Sequence, residues 1–253
     1  MNRQERILAL LEETGFVTVS SLAAQLRVNV STIRRDLAQM AHQGLLQRTH
    51  GGAIPLKERT LSTVTEVPHL QEKRAIGPAM AERILEDQTV FLDTGTTCLE
   101  VARALNQEHV TIVTHDLLIA MEVLRHPSLN LVFVGGELLP TSTHMWGPTA
   151  IDQIDKIRVN VAIFGASSIM QDGIYGNGGY SLELQRKVRS IASEAFFVAD
   201  STKFGRQAMY KILGIEDFTA GITDSLLTPM TAASYPIPLI RAHVEFPPGD
   251  THA

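Results

Sequence analysis

The sequence predicts an α/β chain in two parts: a small helical domain closed by a β-hairpin, then a larger domain on a mostly parallel, doubly wound sheet. Three observations predict it. Residues 1–57 hold seven Lys/Arg against four Asp/Glu, a net +3, while the remainder holds 15 against 23, a net −8. A basic head on an acidic body implies two domains with different partners. Apolar residues in the head recur at helical spacing, whereas from residue 89 onward short apolar runs alternate with helical stretches. The expected boundaries are 1–54 for the head, 55–71 for a linker and 72–253 for the body.

Composition narrows the class. At 253 residues, 44% hydrophobic and 19% charged, the chain is an ordinary globular protein with room for a sizeable core. It contains no run of 18 apolar residues, so neither a transmembrane helix nor a membrane partner is expected. Arg3, Glu5, Arg6, Glu12 and Glu13 exclude a signal-peptide core at the start. The single cysteine, Cys98, excludes an internal disulfide and a Cys-rich zinc site, and favours a reducing, cytoplasmic compartment. His115 and His144 lack the spacing of a metal pair, so no metal is expected.

In the head, residues 3–14 read as a helix through Ile7, Leu8, Leu10 and Leu11, ended by Gly15. Residues 16–19 are extended, and Ser20 caps a second helix through Leu22, Ala23 and Leu26. Asn29 is the N-cap of a third helix, in which Ile33, Leu37 and Met40 form one apolar stripe. Ser31, Thr32, Arg34 and Arg35 project from its other side, short hydroxyls and guanidinium forks of the kind that contact phosphates and guanine edges. Asp36 favours the helix dipole and orients Arg34 or Arg35. Residues 45–50 form a strand entering the Gly51-Gly52 turn. Three short helices and a hairpin are the outline of a winged helix-turn-helix. The third helix then enters the major groove of double-stranded DNA, and the wing puts Arg48, His50 and Gly51 beside the backbone. Ser20, Asn29 and Val30 complete the candidate DNA-binding set.

The linker expectation rests on residues 55–68, polar and bounded by prolines, with no period of 2 or 3.6. In the body a helix spans 72–86, interrupted early by Gly77-Pro78. Strands follow at 89–92, 110–113, 129–134, 159–164, 195–198 and 220–223, and the tail from Pro236 reads as irregular. Nearly every strand ends in small, hydroxylic or charged residues, and open α/β sheets bind ligands outside the carboxyl ends of their strands. The turn Asp93-Thr94-Gly95-Thr96-Thr97, with Asp93 a candidate cap, suits a phosphate at a helix N-terminus. Lys203 suits a phosphate or a sugar hydroxyl. There is no Gly-Lys-Ser/Thr P-loop ending and no G-x-G-x-x-G loop, which argues against a nucleotide enzyme and a bound cofactor.

These motifs resemble the DeoR family of bacterial transcription regulators. In the head the resemblance rests on Thr32-Ile33-Arg34-Arg35-Asp36-Leu37 and on Arg48-Thr49-His50-Gly51-Gly52-Ala53. In the body it rests on Asp93-x-Gly95-Thr96-Thr97, Thr114, Gly135-Gly136-Glu137, Gly147…Ala150, Asp172-Gly173, Glu183…Lys187 and Asp200-Ser201-x-Lys203. It implies a homo-oligomeric repressor, a dimer or tetramer, of a carbohydrate-metabolism operon. Its isomerase-like body would sense a phosphorylated sugar and modulate operator binding. The implied effector-binding set is Asp93, Gly95, Thr96, Thr97, Thr114, His115, Gly135, Gly136, Glu137, Gly165, Glu183, Lys187, Asp200 and Lys203. No catalytic residue is assigned. Asp93, His115, Glu137 and His144 could supply acid and base, so the alternative is a sugar-phosphate isomerase-like enzyme with an accessory DNA-binding head. The chain departs from the family at Asn29 and Val30, at His115 where Asn is usual, at His144-Met145-Trp146, and in the loop 175–180.

Overall fold

The computed structural model describes residues 3–14, 17–48, 51–55, 67–138, 142–177, 179, 181–206 and 208–246. The chain divides into two compact units, Met1–Thr60 and Leu61–Ala253. Most of the expected linker, residues 56–66, lies outside the described residues, as does His50 of the expected wing.

The head consists of α1 (Arg3–Thr14), β1 (Val17–Thr18), α2 (Val19–Leu26), α3 (Val30–His42), β2 (Leu46–Arg48) and β3 (Gly52–Pro55). Its strands form an antiparallel sheet in the order β1-β3-β2. Ile7, Leu11, Leu22, Ile33, Leu37, Met40 and Leu46 make the core, each at most 1% exposed. At Gly52 an added Cβ would lie 1.9 Å from the Val17 carbonyl oxygen, so β3 approaches β1 this closely only with glycine there. Two expectations fail. Thr18, not Ser20, caps α2: it is extended, and its Oγ1 accepts the Ser21 N–H at 2.9 Å, so the helix begins at Val19. Asp36 is beyond the first turn of α3 and faces inward, where Arg3 of α1 takes both its oxygens, so it does not orient Arg34 or Arg35.

The body opens with α4 (Leu70–Ala81), then β4 (Thr89–Leu92), α5 (Thr96–Ala104), β5 (Thr111–Thr114), α6 (Leu117–Val123) and β6 (Asn130–Phe133). A short hairpin, β7 (Glu137–Leu138) and β8 (Met145–Trp146), leads to α7 (Pro148–Ile154), β9 (Val159–Gly165), β10 (Ser168–Met170) and β11 (Gly173–Gly176). Next come α8 (Leu182–Ile191), β12 (Ala192–Val198), β13 (Tyr210–Gly214), β14 (Ala220–Asp224), α9 (Pro229–Ala233) and β15 (Leu239–Ala242). Seven strands form one sheet, ordered β15-β14-β12-β9-β4-β5-β6, and every pairing in it is parallel. Ile76 and Met80 of α4, Val101 of α5 and Ile119 of α6 pack on one face, against Leu92, Val161 and Ile222. Ile154 of α7 and Leu184 and Val188 of α8 pack on the other, against Phe91, Phe164 and Phe197. Both faces are covered, which is why the strands read as near-continuous apolar runs.

Three further expectations are corrected. The Gly77-Pro78 pair does not interrupt α4, which starts at Leu70 and stops at Ala81 rather than running over 72–86. Ile76 and Met80 are fully buried, and that packing outweighs the hydrogen bond lost at the proline. The tail is not wholly irregular: β15 pairs with β14 from Gly221↔Leu239 to Asp224↔Ala242, just after Pro236 and Pro238. The start of the expected loop at 175–180 belongs to β11, which lies between β10 and β13 in a small antiparallel sheet.

A Cβ added at Gly77 would lie 2.5 Å from the Glu100 carbonyl oxygen, so glycine sets the approach of α4 to α5. Gly77→Ala is expected to destabilise the body by about 1–3 kcal/mol, read as a lower urea midpoint. An unchanged midpoint would mean that the two helices separate freely.

Candidate functional site

In the head, the two faces of α3 have different partners. Asn29 Oδ1 accepts the Ser31 N–H at 3.0 Å and the Ser31 hydroxyl at 3.2 Å, fixing the first turn. Beneath it, Arg3 Nε and Nη2 hold Asp36 Oδ2 and Oδ1 at 2.5 and 2.9 Å, a bidentate bridge from α1 to α3. Val30, Ser31, Arg34 and Arg35 are exposed and Thr32 is half-buried. No described residue forms an ion pair with Arg34 or Arg35. The carboxylate nearest in sequence is committed to Arg3, which leaves both guanidinium groups on the outward face. Ser20 is exposed on the first turn of α2, its hydroxyl 3.1 Å from Thr18 Oγ1. Gly51 accepts the Val19 N–H at 2.9 Å through its carbonyl, so the wing is tied to the start of α2, and Arg48 is exposed at the end of β2.

In the body, the carboxyl ends of β4, β5 and β12 carry buried polar groups. Asp93 is 1% exposed and both of its oxygens are occupied. Oδ1 is 3.2 Å from His115 Nε2, and Oδ2 accepts from Gln185 Nε2 at 2.7 Å. Asp93 is therefore not the cap of α5. Gly95 holds that position, with φ of 107° and no side-chain cap, so the first N–H groups of α5 are not taken by a capping side chain. Thr96 is half-buried and Thr97 buried beside them. At Gly165 a Cβ would come within 2.7 Å of the Thr94 carbonyl oxygen, so glycine lets the end of β9 pack under this turn.

Thr114 Oγ1 accepts the Asp116 N–H at 3.1 Å, and Asp116 caps α6 through Leu118 and Ile119. Across these ends runs the segment 142–146. Thr143 Oγ1 donates to Asp116 Oδ2 at 2.7 Å, and Met145 N–H donates to the His115 carbonyl at 2.8 Å. His144 bonds the hydroxyls of Ser142 and Ser181, so it joins this segment to the start of α8. Burial lowers the His144 pKa to about 4, and the neighbouring His115 adds to the effect.

At the end of β12, Asp200 is fully buried. Its Oδ1 accepts the Thr202 N–H at 3.2 Å, capping the short helical turn Ser201–Lys203. Lys73 Nζ stands 3.7 Å from Oδ2, which has no hydrogen bond among the described residues. Burial depresses the Lys73 ammonium and Asp200 raises it, while the like charge of Lys203 lowers it further. Lys203 is half-buried.

The structure gathers Asp93, Gly95, Thr96, Thr97, Thr114, His115 and Gly165 around one turn, with Asp200 and Lys203 two strands away at the same edge. Others are elsewhere. Lys187 is ion-paired with Asp155 at the end of α7, and Glu183 is exposed on α8. Gly135, Gly136 and Glu137, by contrast, follow β6 at the same edge: Gly135 hydrogen-bonds Gln153, Gly136 backs onto Trp146, and Glu137, exposed on β7, pairs with Trp146 of the segment that crosses the strand ends. Gln185 and Lys73 escaped the sequence reading. Each had a signal, being a polar residue inside an apolar helical stripe: Gln185 among Leu184 and Val188, Lys73 below Ile76 and Met80.

Comparison with known proteins matches residues 3–59 to a DeoR-like helix-turn-helix domain and residues 68–225 to a DeoR C terminal sensor domain. The chain is 34% identical over 230 residues to the transcriptional repressor AccR of Agrobacterium fabrum, covering 88% of this chain and 89% of that protein. It is 32% identical over 228 residues to the glycerol-3-phosphate regulon repressor of Escherichia coli, covering 88% and 90%. Among solved structures, ribose 5 phosphate isomerase A from Neisseria gonorrhoeae matches with a TM-score of 0.39 at 17% identity, over 53% of each chain.

His144 gives a test of this geometry. Its folded pKa of about 4 lies below the ordinary 6.5, so between those values the unfolded chain binds more protons. The stabilisation is complete above 6.5 and is lost as pH falls toward 4. Urea melts across that range should show a steeper acid loss for the wild type than for His144→Gln; parallel profiles would place His144 in water.

Proposed function

The chain belongs to the DeoR family of transcription regulators, and we propose that it is a cytoplasmic, homo-oligomeric repressor of a carbohydrate-metabolism operon. Operator DNA is bound by α3 and the wing, with Arg34 and Arg35 meeting bases or phosphates and Asn29, Val30, Ser31 and Thr32 at the groove. The observation that carries this reading is the split of α3: Asp36 is bound to Arg3, while the two adjacent arginines stay exposed and without a described ion-pair partner.

The effector is a phosphorylated sugar received at the carboxyl edge of the sheet. The uncapped start of α5, the Thr96 and Thr97 hydroxyls and the Lys203 ammonium are the groups suited to its phosphate. Effector and operator are linked if the effector binds two states of the protein with different affinity. The relatives are repressors by name, and one is named for a glycerol-3-phosphate regulon. Sensing accounts for the edge without chemistry, so the isomerase-like alternative is set aside.

Anisotropy titrations of operator DNA test both halves. Arg34→Ala and Arg35→Ala are each expected to weaken specific binding by about 1–3 kcal/mol. Thr96→Ala and Lys203→Ala should keep DNA binding and lose the response to phosphorylated sugars. Lys187→Ala should keep both, because Lys187 faces Asp155. Full operator affinity in the double arginine variant would refute the proposed interface.

A further inference from the structure

His115 follows β5 directly, is completely buried, and has both ring nitrogens aimed at oxygen. Nδ1 lies 2.8 Å from the Met145 carbonyl and Nε2 lies 3.2 Å from Asp93 Oδ1. A neutral imidazole has one N–H and one lone pair, so it can satisfy only one of these contacts. The other requires a second proton. The Gln185 amide donates to Asp93 Oδ2 at 2.7 Å, so that oxygen accepts and the second proton lies between Asp93 Oδ1 and His115 Nε2. Imidazole is the stronger base of the two, which puts the proton on His115.

We propose that His115 is the positioning residue of the effector site: a buried imidazolium that cancels the charge of Asp93 and fastens the segment 143–146 across the strand ends. The inference deepens the reading of this edge as an effector pocket and rests on it. Its chemical content concerns the class of ligand. Asp93 stands two residues before Gly95, at the turn expected to receive the effector, and in a low-dielectric site an uncancelled carboxylate there would repel an anion. With Asp93 bound to His115 and Gln185, the pair is neutral overall and the turn can hold a phosphate. The fastening is doubled through the backbone, because Met145 N–H donates to the His115 carbonyl at 2.8 Å. One residue thus sets both the floor of the turn and the segment above it. His144, whose ring centroid is 5.4 Å from that of His115, differs in kind. Its partners are hydroxyls, which can donate or accept, so a neutral ring satisfies them.

The test uses full-length protein labelled with 15N-histidine at neutral pH. Long-range proton–nitrogen correlation spectra should show one histidine protonated on both nitrogens, absent from His115→Asn and from His115→Gln, and returned to the neutral pattern by Asp93→Asn. An unprotonated nitrogen on His115 would overturn the proposal, and the wild-type spectrum decides this even if one variant does not fold. The second readout is thermal stabilisation by inorganic phosphate and by glycerol 3-phosphate. Wild type should be stabilised by at least one of them, with the apparent affinity lowered about tenfold or more in His115→Asn. No stabilisation of wild type by either would defeat the pocket reading and the role of His115 with it. Equal stabilisation of wild type and variant would leave the pocket standing and overturn the role of His115 alone.

Discussion

A sheet whose strands are all parallel brings their carboxyl ends to one edge, and any carboxylate buried there must be met by donors. This constraint organises the body. Asp93, Asp116, Asp200 and Asp224 all lie at that edge and none is more than 2% exposed. The cost of burying an unmatched carboxylate is several kcal/mol, enough to remove much of a domain's net stability. Each is answered from within the fold. Asp93 is held by His115 and Gln185, and Asp116 by the start of α6 and Thr143. Asp224 accepts the Ser201 and Leu226 N–H groups, while Asp200 faces Lys73 and caps the turn that carries Lys203. With the acids matched from within the fold, the first N–H groups of α5 have no capping side chain and Lys203 forms no ion pair among the described residues.

The head solves the same problem on a smaller scale. Its only Asp, Asp36, lies on a helix that also carries two arginines, and packing rather than sequence proximity chooses its partner. Asp36 belongs to the buried face with Ile33, Leu37 and Met40, and Arg3 arrives from α1 to meet it. The arginines point the other way. In both units, then, acids are paired from within the fold, Asp36 by Arg3 in the head and Asp93 by His115 and Gln185 in the body.

Much of this was legible in the residues. Apolar periodicity located α3 and the central strands, and the clustering of polar residues at strand ends located the edge. Features set by long-range pairing were not legible. The Arg3–Asp36 bridge spans 33 positions and the Gln185–Asp93 contact spans 92, and no local pattern encodes either. Pro78 inside α4 and the strand β15 beyond two prolines both looked like breaks, because local propensity ignores the packing that overrides it. Within the candidate effector set, spacing placed the Asp93–Thr97 turn well. It could not tell which residue of α8 is buried against the turn: Lys187 pairs with Asp155, Glu183 is exposed, and Gln185 between them reaches Asp93.

If the body's ligand and the head's DNA are thermodynamically linked, the coupling between them must be reciprocal. A phosphorylated sugar that stabilises the protein should be titrated calorimetrically into free protein and into its operator complex. Operator affinity should then be measured with and without saturating sugar phosphate. DNA is expected to change the sugar phosphate's affinity by the same factor as the sugar phosphate changes that of DNA, within the roughly 5–150-fold range of typical allosteric coupling. Equal affinity of the sugar phosphate for free and DNA-bound protein would contradict it.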